Sequence, residues 1–156
     1  MKQLITILSL IILPLLCTAQ LNTNIWKASA IQGIAGFSDG ANQAYLYHYS
    51  NSGKFEKWGI RPNTEAWKNK WVVDPDGHVR VGQERFWLSS RSLVFLTDFN
   101  HASRFIKHRA NEATMLVYAV GHGAKTKKWY WYLADTAIMF TARSIGFYGS
   151  YNLVFK

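Results

Sequence analysis

The chain is short of cysteine, of acidic charge and of catalytic signatures, and each shortage excludes something. Cys17 is the only cysteine in 156 residues. A chain cut after position 19 would have none, and so no disulfide, thiol nucleophile or Cys-ligated zinc. Asp and Glu number 9 against 18 Lys and Arg, a net charge of +9. That balance suits acidic partners such as nucleic acid, anionic lipid or acidic glycan. No Arg-rich cluster or Gly-rich phosphate loop accompanies it, so nucleic acid is not expected. There is no His-Glu-x-x-His motif and no Gly-x-Ser-x-Gly elbow. There is no internal repeat either, which excludes a solenoid. Aromatics at 15% and charges at 17% exclude a disordered acidic segment. The length allows one domain.

The N-terminus carries a targeting pattern. Lys2 precedes the apolar run Leu4–Leu13, and Cys17-Thr18-Ala19 supplies small residues before a cut. This reads as a secretory signal peptide over residues 1–19, followed by a single helical, membrane-associated domain over 20–156. The alternatives are an uncleaved anchor or a lipid on Cys17, though Leu16 sits where a small residue is normally needed. Cleavage after Ala19 leaves 137 residues, enough to bury a core without disulfides.

Periodicity predicts the elements. Trp26, Ala30, Ile34, Phe37, Ala41 and Tyr45 recur every three or four residues, one face of a helix within 22–50. Thr23 or Asn24 is placed to cap it. Gly33, Gly36 and Gly40 suggest either a close approach by another backbone or a helix broken at 36–40. Asp39 is then a polar anchor facing Arg143 or part of that break. Asp74-Pro75-Asp76-Gly77 sets a tight reversal, because Pro75 fixes φ and Gly77 tolerates positive φ. With β-branched residues on both sides, this predicts a short hairpin near 71–81, lying on the helical body. The same stretch fails as an EF-hand, since Gln83 stands where a bidentate Glu is needed. Ser89 or Ser90 would cap a helix running to about Arg109, its interior being Leu93–Leu96, Phe99, Ala102, Phe105 and Ile106. A further apolar stretch, 113–120, ends at Gly121.

Residues 129–155 are long enough to span a bilayer, and Lys125–Lys128 with Trp129–Tyr132 resemble an interfacial belt. Asp135 and Arg143 would cost about 2.5–3.5 kcal/mol each at a helix centre, while each good apolar residue returns about 0.3–0.6. Insertion unaided is therefore not expected. Asp135, Ala142, Gly146 and Gly149 instead form a small, polar stripe suited to helix packing. The mainly α reading is a compact helical bundle, peripheral or shallowly embedded. The alternative is an eight-stranded outer-membrane β-barrel, because residues 145–155 also alternate with period two.

The chemistry-bearing residues are few. Asp98, His101 and His108 share one helix side, and His122 or Asp135 could join them. An Asp orients a His tautomer, and His101 and His108 are the metal-ligand candidates. The catalytic candidates of a small envelope hydrolase are Asp98, His101, His108 and Asp135. The competing and preferred reading is a buried polar network. Trp58–Trp71 suits sugar or lipid headgroup stacking, or else an amphipathic loop packed on the body.

Trp67-Lys68-Asn69-Lys70-Trp71, Gly82-x-Glu84-Arg85-Phe86-Trp87-x-Ser89 and Leu93-Val94-Phe95-x-Thr97-Asp98-x-x-His101 resemble a group of small uncharacterised exported proteins of Bacteroidetes-type bacteria and their phages. The resemblance covers about 34–155 and departs at the Asp74–Gly77 hairpin. It implies an envelope location and helices after Ser89, and no activity. The function expected is an exported, periplasmic or membrane-associated structural or interaction protein. Its expected partner is a lipid surface or envelope assembly, and no cofactor is expected.

Overall fold

A computed structural model describes residues 21–60, 71–122 and 127–155. The N-terminal targeting pattern, Lys125 and most of the Trp58–Trp71 run lie outside them. Helix α1 is Ile25–Ser52, followed by one turn, α2, at Lys54–Lys57. Strands β1 (Trp71–Val73) and β2 (Val79–Glu84) form an antiparallel hairpin. A 3-10 turn at Val94–Leu96 leads to α3, Phe99–His122. Helix α4, Trp129–Tyr148, continues into a π-helical segment at Gly149–Phe155. Helical conformations cover 71% of the described residues, so the protein is a mainly α bundle.

The barrel alternative is overturned. Residues 145–155 are helical, and the described residues contain one two-stranded sheet. The period-two pattern there loses to a second pattern, small residues three or four apart. Gly146 meets the Gly33 backbone, and Ser150 meets Gly40. Arg143, Gly146, Phe147 and Ser150 all meet α1, and only a helix puts residues both three and four apart on one side.

Helix α1 is the shared spine. Helix α4 packs along it in the same direction, from Asn22 against Asp135 to His48 against Tyr151. Helix α3 packs on it in the opposite direction, from Asn24 against Val117 to Tyr45 against Phe99. Helices α3 and α4 meet each other through long side chains, such as Tyr118 with Asp135 and Asn111 with Arg143. Close docking of α4 depends on glycine. A Cβ on Gly36 would overlap the Arg143 carbonyl, and one on Gly40 would overlap the Phe147 carbonyl. Helix α1 runs unbroken through these positions, so the glycines serve approach and not a break.

Three other expectations are corrected. The helix after the hairpin starts at Phe99, not Ser89. Glu84 accepts hydrogen bonds from Leu88 N (3.0 Å) and from Ser90 N and Oγ (3.3 and 2.5 Å), which bends 88–90 into a turn. Asp98 takes over as the cap, accepting from His101 N at 2.7 Å. From there one helix runs through Arg109–Glu112 to His122. The hairpin is more extended than 71–81 and stands off the body, with β2 exposed along nearly its whole length. Gly77 does take positive φ, 82°. An Asp74–Arg80 ion pair at 2.7 Å ties the two strands.

The third correction concerns what faces inward. The predicted apolar face of α1 is only partly inward: Ala41 and Tyr45 join the core, while Trp26 and Ile34 are each 56% exposed. Along the rest of the helix Ala28, Ser29, Ala35, Ser38, Asn42 and Ala44 are buried. The same inversion holds after Ser89, where Leu96, Phe105 and Ile106 are exposed while Thr97, Asp98, Ser103 and Thr114 are buried. Small and polar side chains permit the short helix separations that the glycines impose. A conventional apolar cluster forms only at the α1 C-terminal end. There Tyr45, Phe55 and Phe155 are buried, and Tyr49 and Phe99 pack on them. Phe55 stacks on Phe155 at 4.7 Å.

Candidate functional site

The four candidate residues sit in three places. Asp98, the N-cap of α3, is buried. Its Oδ2 lies 2.6 Å from His101 Nδ1, close enough to fix the imidazole as an Nδ1–H donor. The His101 side chain is 40% exposed. The nearby Tyr45 hydroxyl is pushed up to about 12, by burial first and then by the Asp98 charge. This pair can orient a histidine. No third metal-binding side chain joins it among the described residues. His108 is exposed on α3.

Asp135 belongs to the opposite end of the bundle. It meets Tyr118, which lies 20 residues beyond Asp98 on α3, about 30 Å at 1.5 Å per residue. Asp98 and Asp135 therefore do not share a site. Asp135 is fully buried and satisfied from several sides. The Tyr118 hydroxyl donates to it at 2.7 Å, Asn22 N approaches at 3.3 Å, and Lys127 Nζ forms an ion pair with it. The Lys127 ammonium also lies 4.8 Å from the Tyr132 ring centre. Burial raises the Tyr118 pKa, and the bond to Asp135 adds to the rise. Beside this group, Asn22 Nδ2, Thr23 Oγ1 and Asn24 Nδ2 donate to the carbonyls of Tyr118, Gly121 and Val117. Those residues thus cap the C-terminal end of α3. Asn24 makes no side-chain cap on α1. A buried carboxylate so thoroughly bonded is a strut between α1, α3 and α4. The His122 side chain lies outside the described residues.

A third polar cluster lies midway, where sequence spacing pointed only to Asp39 and Arg143. Asp39 accepts from Arg143 Nη2 at 3.0 Å and from Lys107 Nζ at 3.1 Å. Arg143 Nη1 reaches Asn111 Oδ1 at 3.0 Å and Gln32 Oε1 at 3.3 Å. Lys107 and Asn111 are four apart and face α1 together, a signal that the isolated α3 sequence contains without naming its partner.

The surface feature is equally specific. Between Lys27 and Lys54, Asp39 is the only Asp, Glu, Lys or Arg on α1. In 129–155 only Asp135 and Arg143 are charged. All three are held in the contacts described, so the outer face of α4 bears no charge. It presents Trp129, Leu133, Phe140, Ile145, Tyr148 and Leu153. A shallow depression of about 480 Å³ lies among Phe140, Ile145, Tyr148 and Leu153. No described helix is long and apolar enough to cross a membrane. Comparison with family models, curated proteins and solved structures gave no match to this chain.

Proposed function

We propose that this protein is a membrane-associated structural or interaction protein, exported to a bacterial envelope, whose α4 outer face contacts lipid. One observation carries the lipid contact: bulky apolar side chains face outward while small and polar ones are buried. In water an exposed apolar area of this extent is a liability, whereas an apolar surrounding favours it. Lys128 and Trp129 at the start of α4 are exposed, as suits a headgroup boundary. Such a face suits shallow, in-plane association. Export rests on the N-terminal pattern alone.

Vesicle flotation tests the lipid contact. The wild type should float with phospholipid vesicles, and F140D/I145D should remain below with unchanged helical circular dichroism. Wild-type protein that stays soluble beside vesicles would overturn the reading.

A further inference from the structure

We propose that the groove between α3 and α4 is a binding site for a single-chain amphiphile with an anionic head. The groove encloses about 300 Å³, at the small end of the range for ligand sites. Met115 and Tyr118 of α3 face Met139 and Phe140 of α4 across it, and Gln32, Arg143 and two threonines also line it. Methionines on two opposing walls give an apolar channel that adapts to a flexible chain.

Arg143 is the charged residue of the lining, and the polar joint it forms beside the groove is unbalanced in charge. Lys107 and Arg143 both rest on the single carboxylate of Asp39. The nearest other acid on α3, Glu112, pairs with Arg109 at 2.7 Å. Gln32 and Asn111 are neutral, so the joint carries one positive charge in excess. Arg143 places three N–H donors on Gln32, Asn111 and Asp39. A guanidinium has five, so two are left without a partner among the described residues. The Arg143 side chain is 30% exposed, and it borders the groove. A carboxylate or phosphate there would neutralise the excess charge, and its chain would lie between the methionines. A neutral or cationic head would leave that charge uncompensated.

This groove adjoins the α4 outer face and shares Phe140 with it, so its test uses Met115, Met139 and Arg143, which the outer face lacks. Calorimetric titration of the full protein should use dodecanoate, dodecyl maltoside and dodecyltrimethylammonium, each below its micelle concentration. Dodecanoate should bind saturably and at least tenfold more tightly than the other two. M139W and M115W, which fill the groove from opposite walls, should each weaken dodecanoate binding at least tenfold. Both should keep their helical signal and their vesicle flotation. R143Q should abolish the preference for the anion. Equal affinity for all three heads, or undiminished dodecanoate binding in both tryptophan variants, would overturn the proposal whatever the vesicles show.

Discussion

The two ends of the bundle are held by opposite means. At the α1 N-terminal end, a buried carboxylate, an ammonium, a phenol and three capping side chains tie α1, α3 and α4 together. At the α1 C-terminal end, Tyr45, Tyr49, Phe55, Phe99 and Phe155 pack as rings, with centroids 4.7–6.3 Å apart. The aromatic end gains directly from removing apolar area from water. The polar end gains little net energy, because desolvating Asp135 and Lys127 offsets their attraction. Its value lies in specificity. Buried charges tolerate few alternative pairings, so this end sets which helix meets which. In a chain whose bulky apolar residues face outward, that constraint takes over the role that a core usually plays.

The sharpest way to break the contrast is to remove one member of the polar strut. D135A leaves the Lys127 ammonium buried and unpaired, and should cost about 3–5 kcal/mol in urea unfolding. K127M/D135L replaces both charges with apolar groups and should recover most of that loss. A double variant as unstable as D135A would show that the pair supplies net stability, which would remove the distinction between the two ends.

A smaller effect is expected midway, where glycine sets the helix separation. G36A places a methyl group against the Arg143 backbone and should cost about 1–3 kcal/mol. G149A meets nothing within 4 Å and should unfold within about 0.5 kcal/mol of wild type. A loss in G36A no larger than in G149A would mean that close approach does not explain Gly36, since helix propensity favours alanine at both positions.

The smallest effect belongs to the turn outside both ends. The Ser90 hydroxyl and the Leu88 and Ser90 amides hold the Glu84 carboxyl below its ordinary value of 4.5. A lowered folded-state pKa contributes stability that is full above 4.5 and lost as pH falls through the lowered value. E84Q should therefore exchange amides of 86–91 faster at pH 7 and lose its difference from wild type in acid. Exchange rates that differ equally at both pH values would refute the charge-based account of this turn.

Parts of this arrangement were legible in the chain. The Asp74–Gly77 reversal was readable because φ restrictions on Pro75 and Gly77 act locally. The close neighbour at Gly36 and Gly40 was readable as one of two options, the other being a broken helix. The Asp39–Arg143 contact was readable as one of two options. The start of α3 was not, because Ser89 and Ser90 are plausible caps until Glu84 bends the turn from five or six residues away. The grouping of Asp98, His101, His108 and Asp135 also failed to form. Helical phase relates Asp98 to His101, but it says nothing of Asp135, whose position depends on how α4 docks.

By itself the sequence determined that the chain's charge is basic and where its hairpin reverses, and it favoured helices over a barrel. These follow from periodicity, composition and backbone sterics, which act over a few residues. Only the tertiary structure decided which helix face turns inward. Hydrophobic periodicity marks a face without saying whether protein or surroundings will cover it. Here backbone contact through Gly36, Gly40 and Gly146 brings the small, polar faces together and leaves the bulky ones outside.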